Sequence, residues 1–271
     1  METRPRGRDG TGVTNTDAGP GLVEPVPGYR TRVVDEGARD GPAVVLLHGT
    51  PLDLRAWDPL VPALRATRRV VRFDARGHGV AEDVPVPDVG RLAADVVAVL
   101  DHLGVADAHV VGHSWGGEIA QRVAVEHPGR VARLSLVCTR ASPFPPFGEL
   151  AASLRGGTVD LEALLGRWFT PAERAEPAGA AATVRAWLRD ADRERWAEAL
   201  DMIATFDGLA DLAAVAAPAD VVVAELDAVA TPAHMAEIAR TLPDAACHVL
   251  PGARHLAPLQ HADAIARVLL A

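Results

Sequence analysis

The sequence predicts an α/β protein on a doubly wound, mainly parallel sheet, with a helical segment inserted after strand six. Three observations carry this. From Tyr29 to Cys138 short apolar runs alternate with helix-period segments, the rhythm of strand–helix–strand units whose strands run parallel. Runs such as Ala43 to Leu47 are apolar without interruption, which suits strands covered on both faces. After Cys138 the rhythm stops, and it resumes only at Val221, so the stretch between is an insertion.

The elements follow in order. Residues 1–27 mix Gly, Thr and Pro without periodicity and bury too little apolar surface to offset their ordering entropy, so a mobile tail is expected. Arg30 to Asp35 alternates as a strand, Gly37 to Pro42 turns, and Ala43 to Leu47 is a buried strand. A helix around Trp57 to Ala66 leads to a strand at Val70 to Phe73, which ends in Asp74-Ala75-Arg76-Gly77-His78-Gly79. Between Val89 and Leu103 the positions Leu92, Val96, Val99, Leu100 and Leu103 recur at helical spacing, and Gly104 ends that helix. Ala108 to Val111 is a strand, Gly116 to His127 a helix stopped by Pro128, and Val131 to Cys138 a strand. Ala141 to Phe147 is a loop of Pro and Phe, and Leu150 to Val215 reads as helices up to Pro218. A strand at Val221 to Ala224, a helix at His234 to Leu242, a strand at Cys247 to Leu250 and a helix at Ala262 to Leu270 complete the chain. The predicted organisation is a tail over 1–27, a core over 28–139 and 219–271, and a helical insertion over 140–218.

Composition narrows the function classes. The 271 residues are 49% hydrophobic and 23% charged, as in soluble globular proteins. The net charge of −9, with no basic cluster interleaved with aromatics, argues against nucleic acid as a partner. Cys138 and Cys247 are far apart without CxxC spacing, so neither a disulfide framework nor a zinc cluster is expected. The stretch after Arg4, Arg6 and Arg8 has no apolar run of the kind a signal peptide needs, and no window reaches the roughly 18 apolar residues that span a bilayer. A soluble, cytoplasmic protein without membrane contact is the expectation. There is no lysine for a Walker A motif, Gly77-His78-Gly79 lacks the third glycine of a dinucleotide fingerprint, and no HExxH occurs. The chemistry described next needs no cofactor or metal.

The strongest chemical signal is Gly112-His113-Ser114-Trp115-Gly116-Gly117, a G-x-S-x-G between an apolar strand and a helix. Such a turn forces the serine into a crowded backbone conformation, and small residues two positions to either side let strand and helix approach. The hydroxyl then stands at the carboxyl end of the sheet and the positive end of a helix. A neutral serine needs a general base, and the base an orienting acid. In the chain order expected for this geometry, Asp227 follows the strand at Val221 to Ala224 and His255 follows the last strand. Asp227 is the favoured acid, with Glu225 and Asp220 as alternatives and a turn or helix cap as the plain reading of any one Asp. Two backbone donors for the oxyanion are expected at Trp115 and in the loop Leu46-Leu47-His48-Gly49-Thr50-Pro51. Pro51 has no N–H, which leaves Thr50. His48, His78 and His113 belong to turns at the same edge and read chiefly as structural hydrogen bonders, with His48 also a candidate for the pocket wall. The remaining histidines, His102, His109, His127, His234, His248 and His261, read as surface or element-end residues.

Taken together, His48-Gly49, the Asp74 to Gly79 turn, Gly112 to Gly117, Asp227 and His255 resemble the α/β-hydrolase superfamily, over about residues 29–139 and 219–271. Size and motif arrangement are similar to its small esterase and lactonase branch, including 3-oxoadipate enol-lactonase. The likeness implies that the insertion, about Arg140 to Ala217, is a helical cap. Serine at 114 disfavours the dehalogenase and epoxide hydrolase branches, whose nucleophile there is aspartate. Two departures are Arg254, where glycine usually precedes the histidine, and Ala224, where glycine often stands near the acid; neither removes a catalytic atom.

For the pocket, Phe144 and Phe147 directly follow a strand edge and are candidates for its wall. Trp168, Phe169, Trp187, Trp196, Met202 and Phe206 either roof it or form the core of the insertion itself. Arg254 either pairs with a substrate carboxylate or serves as a solvent-facing or ion-paired side chain. The function read from the sequence is cofactor-independent cleavage of a small-molecule ester or lactone by Ser114, Asp227 and His255. Acyl transfer, lyase or cyclisation chemistry with the same residues is the alternative, and a non-catalytic ligand receptor the remote one. Oligomeric state is not legible.

Overall fold

The computed structural model describes residues 22–81, 84–86 and 88–271. Eight strands form one sheet in the order β1-β2-β4-β3-β5-β6-β7-β8: β1 (Leu22–Val26), β2 (Tyr29–Gly37), β3 (Ala43–Leu47), β4 (Arg69–Phe73), β5 (Ala108–His113), β6 (Val131–Val137), β7 (Ala219–Ala224) and β8 (Ala245–Leu250). The β1–β2 and β2–β4 pairs are antiparallel and every other pair is parallel. The described helices are α1 (Val61–Leu64), α2 (Val89–His102), α3 (Trp115–Glu126), α4 (Pro146–Arg155), α5 (Leu161–Trp168), α6 (Pro171–Ala175), α7 (Ala180–Asp190), α8 (Arg193–Thr205), α9 (Pro232–Thr241), α10 (Ala257–Gln260) and α11 (Ala262–Leu270).

Each sheet face carries its own core. On one, Trp57, Leu60 and Leu64 pack with Ile265 and Leu269 of α11 against Val44, Val70 and Val222. On the other, Leu92 and Val96 of α2, Ile119 and Val123 of α3, and Met235 and Ile238 of α9 cover Val45, Val71 and Val110. Helices on both faces make the sheet doubly wound, as predicted. The continuous apolar strands follow from this, since a side chain on either face escapes water and gains about 1.5–3 kcal/mol. The five helices α4–α8 all lie between β6 and β7, and the second core continues into them through Leu154, Leu165, Trp196 and Leu200.

Three expectations need correction. The region expected as a tail over 1–27 contains β1, which turns at Gly28 and pairs with β2; residues 1–21 lie outside the described residues. Pro25 and a half-exposed edge position disguised this strand. The helix expected over Trp57 to Ala66 is a 3₁₀ turn at Leu54–Trp57, capped by Asp53, followed by the single turn α1. Pro59 has no N–H to continue a helix through that stretch. His109 is buried inside β5, bonded to Ser135 Oγ at 2.7 Å, and burial pushes its pKa down to about 4.

Candidate active site

Ser114 stands between the last residue of β5 and the first of α3, with φ 52° and ψ −122°. That left-handed φ costs a non-glycine residue of order 1–3 kcal/mol and persists only where the surroundings enforce it. Here the Ser114 amide donates to the Val137 carbonyl at 3.0 Å, while the Ser114 carbonyl accepts from the Gly117 amide at 2.8 Å and from Thr139 Oγ1 at 2.6 Å. The flanking glycines are required by space. A Cβ on Gly112 would strike the Gly116 carbonyl, one on Gly116 the carbonyls of Leu47 and His48, and one on Gly117 the Thr139 side chain. The small-residue requirement read from the motif is a requirement of β5, α3 and β3 approaching one another.

Parallel strands deliver the other two side chains to the same edge. Asp227 sits in the turn after β7 and is 4% exposed. Its Oδ1 accepts from the amides of Val229 and Ala230 at 2.7 and 3.0 Å, and its Oδ2 from His255 Nδ1 at 2.8 Å. His255 Nε2 is 3.0 Å from Ser114 Oγ. A carboxylate accepting at Nδ1 assigns that nitrogen the hydrogen and leaves Nε2 as the acceptor facing the hydroxyl. Of the alternatives to Asp227, Glu225 caps the Gly252 amide. Asp220 accepts from Arg133 and His248; burial opposes its ionisation, but these two partners outweigh burial and hold its pKa below the ordinary value.

The histidines at this edge are hydrogen-bonded scaffolding. His48 Nδ1 donates to the Gly49 carbonyl at 3.0 Å and its Nε2 accepts from the Ala75 amide at 3.0 Å. With both nitrogens used and the ring buried, His48 does not line the cavity beside Ser114. His78 Nδ1 donates to the Arg76 carbonyl at 2.8 Å, so its Nε2 accepts from the Thr50 hydroxyl at 2.7 Å. Burial, helped by neighbouring His48, lowers the His78 pKa to about 3. The neutral ring stacks on Trp115, centroids 4.6 Å apart. His113 Nε2 donates to the His255 carbonyl at 2.8 Å, and burial together with His255 lowers its pKa to about 3.

A small cavity of about 30 Å³ lies over Ser114, His255 and Thr50. Val229 and the α4 residues Phe147 and Leu150 wall it, together with Leu164, Arg167 and Trp168 of α5 and Trp196, Leu200 and Ile203 of α8. Phe147, Trp168 and Trp196 are therefore where the sequence suggested a pocket wall. Phe144 is not: it rests against Phe147 and under the Arg140 guanidinium, 4.3 Å from its ring centroid. Phe169 is core, Met202 and Phe206 face a different cleft, and Trp187 stacks under Arg55. Arg254 lies outside the lining and donates to the Gly166 carbonyl of α5 at 3.1 Å, a bond from the β8–α10 loop to the insertion. Leu150, Leu164, Arg167, Leu200 and Ile203 were not legible as wall residues, because helical periodicity marks a buried face without saying what it faces. Among the described residues no group of three or more His, Cys, Asp or Glu could hold a metal ion, and no helix is long and apolar enough to cross a membrane.

Known proteins share this architecture. A hydrolase from Pseudomonas aeruginosa PA01 superposes with a TM-score of 0.86 at 32% identity, covering 94% of this chain and 98% of that one. The enol-lactonase from Burkholderia xenovorans LB400 gives 0.87 at 28% identity, covering 92% and 98%. By sequence, the dihydrolipoyllysine-residue acetyltransferase component of the acetoin cleaving system of Pseudomonas putida is 43% identical over 115 residues, 42% of this chain and 31% of that protein. The stretch shared with that curated relative is thus about a third of the relative's length. The model of the alpha/beta hydrolase family matches residues 44–268, from the buried third strand to the last helix, and the chain belongs to that family.

Proposed function

We propose that the protein is a serine hydrolase that cleaves a carboxylic ester or lactone through an acyl-enzyme. The observation that carries this reading is the continuous line from Asp227 Oδ2 through the His255 ring to Ser114 Oγ, with contacts of 2.8 and 3.0 Å. His255 Nε2 takes the hydroxyl proton as Ser114 Oγ attacks the carbonyl carbon, and Asp227 stabilises the imidazolium that forms. The same nitrogen then protonates the departing alkoxide. Water, deprotonated by His255, attacks the acyl carbon and releases the acid and Ser114.

Two backbone amides serve the tetrahedral oxyanion in this reading, those of Trp115 and Thr50. Outside the helix neither donates to another backbone group among the described residues, and Thr50 lines the cavity beside Ser114. One such donor contributes about 3 kcal/mol to lowering the barrier. Helices α4–α8 act as a cap over a core formed by the rest of the chain. The substrate is a small molecule with an apolar acyl or alkyl part, given the aliphatic and aromatic walls.

The test is intact-mass spectrometry after exposure to a fluorophosphonate, followed by turnover of esters and lactones. Wild type should gain one adduct, absent from Ser114→Ala and slow to form in His255→Ala. Full turnover by Ser114→Ala on an accepted substrate would falsify the mechanism. Running the reaction with added alcohols and weighing the products separates hydrolysis from acyl transfer.

A further inference from the structure

Among the described residues three arginines are buried, Arg72, Arg76 and Arg140. Two of them have carboxylate partners: Arg72 meets Glu36 and Asp58, and Arg76 meets Asp95. Arg140 is in no ion pair among the described residues, and its Nε lacks a hydrogen-bond partner. Burying a guanidinium without a counter-ion is costly, so the contacts Arg140 does make have to offset that cost. Its Nη1 donates to the Val229 carbonyl at 3.1 Å and lies 2.8 Å from His234 Nδ1, and the guanidinium covers the Phe144 ring.

These contacts tie two parts of the site together. Val229 accepts from Arg140 with its carbonyl and donates with its amide to Asp227 Oδ1 at 2.7 Å, so one residue separates the guanidinium from Asp227. His234 lies in the first turn of α9, and Arg140 therefore grips the segment that presents Asp227 both in its middle and just past its end. On the opposite side, Gln121 Nε2 of α3 donates to the Arg140 carbonyl at 2.8 Å, and the hydroxyl of Thr139 donates to the Ser114 carbonyl at 2.6 Å. Strand β6 ends at Val137, and Cys138 turns the chain with φ 46°, a left-handed value that persists only where the surroundings enforce it. Beyond that kink Thr139 reaches the nucleophile turn and Arg140 the acid turn. Burial lowers the Arg140 pKa, while Glu118, Asp227 and Glu237 work the other way, which places Asp227 among the charges this guanidinium feels.

We propose, resting on the serine hydrolase reading, that Arg140 is a positioning residue for Asp227, which holds the acid turn in register with the nucleophile turn. The guanidinium touches neither Ser114 nor the cavity, whose lining includes Val229 but not Arg140; it acts through Val229. With Arg140 in place, the Val229 amide keeps Asp227 Oδ1 engaged and leaves Oδ2 directed at His255 Nδ1. Without it the Val229 carbonyl loses its donor, the turn relaxes, and Oδ2 no longer holds the ring at one angle. A misplacement of about 1 Å in such a line slows catalysis by up to about a hundredfold. Arginine suits the task because its planar fork carries donors at fixed angles, enough to reach a carbonyl and a ring nitrogen at once.

A double-mutant cycle tests this, read from the rate at which a fluorophosphonate modifies Ser114. Arg140→Met keeps most of the stem and removes the donors. In the otherwise wild-type protein it should slow modification about tenfold. In Asp227→Asn, where the ring is already misassigned and its placement no longer governs the rate, the same change should cost less than about twofold. Arg140→Lys, with one donor for the Val229 carbonyl, should recover part of the rate. With p-nitrophenyl acetate as substrate the loss should fall on kcat and leave KM within about twofold. Thermal melts verify folding, and if Arg140→Met does not fold, the cycle is run with Arg140→Lys. An equal loss in both backgrounds, no loss in either, or a rise in KM at unchanged kcat assigns Arg140 to the fold alone; each overturns this inference and leaves the serine hydrolase reading intact. No adduct at Ser114 of the wild type overturns that reading and this inference with it.

Discussion

The ring of His113 donates to the backbone carbonyl of His255 at 2.8 Å, so the residue preceding Ser114 holds the main chain of the proposed base. The two rings are 5.2 Å apart and tilted, close enough that the loop after β8 cannot shift without moving both. His113→Phe keeps the ring volume and removes the donor. It leaves a buried carbonyl unpaired, which costs about 1–3 kcal/mol of stability, and lets His255 drift from Ser114. We expect kcat to fall about tenfold to a hundredfold with little change in KM. Steady-state kinetics on any accepted ester, paired with a melting curve, checks this; unchanged kcat would leave His113 a filler only.

Asp227 is predicted to matter through the tautomer it imposes. Asp227→Asn keeps the size and the turn but offers an amide where Nδ1 needs an acceptor, and its nitrogen can turn toward the ring. The proposed mechanism then has its base in the wrong protonation form, and a loss of about 10³–10⁴ in kcat is expected. Alkaline rescue of Asp227→Asn would not restore the rate, because the ring would still be misassigned. A variant retaining a tenth of the wild-type rate would move the orienting role to another residue.

Much of this was legible in the sequence and some was not. Ser114 was legible because its chemistry is local, a strand, a strained turn and a helix within a dozen residues. Asp227 and His255 were legible because parallel strands send the loops after them to one edge. The bond from His113 to a backbone carbonyl left no mark, since any residue supplies that acceptor. The wall residues on α5 and α8 were hidden for a related reason: how an inserted helix is turned toward the core depends on tertiary packing. Strand β1 was missed because five residues with a proline carry too little pattern to stand out from the segment before them.

Acid should destabilise the fold well before the carboxylates titrate. His78 and His113, with pKa values lowered to about 3, and His109, lowered to about 4, are held neutral chiefly by burial. Unfolded, each ring has its ordinary value near 6.5. Above that pH both states are neutral and nothing is lost. As pH falls below it the unfolded chain takes up protons that the folded chain refuses, and stability drops until the folded values are reached. At pH 5 the loss is at most about 2 kcal/mol per ring, a large share of a typical total of about 5–15 kcal/mol. Calorimetry should show a steep fall in Tm between pH 6.5 and 5. A flat Tm across that window would mean the rings are protonated in the folded protein.

Arg254 joins the loop carrying His255 to α5 through the Gly166 carbonyl. Arg254→Met keeps much of the stem and removes the bond, so the contact between insertion and core is weakened at one point. Hydrogen exchange should quicken in α5 and at Trp168 while β5 and β6 stay protected, since local opening follows the loss of local contacts. Equal exchange rates in the two proteins would show that apolar packing alone seats α5.

Glu118 offers a prediction of unusual sign. It lies in the first turn of α3, is 1% exposed, and its Oε2 has no hydrogen-bond partner. Burial pushes its pKa well above the ordinary carboxyl value, with Arg140 opposing. The folded protein therefore keeps a proton that the unfolded chain releases once pH passes the ordinary value. Stability that Glu118 supplies in acid is lost as pH rises toward its folded pKa. Glu118→Gln copies the shape of the protonated carboxyl and cannot ionise. At pH 8 it should melt at a higher temperature than wild type, and the gap should close as pH is lowered toward 4.5. If Glu118→Gln instead melts lower at pH 8, the carboxylate is ionised against Arg140, and removing its charge leaves that guanidinium buried without a counter-ion.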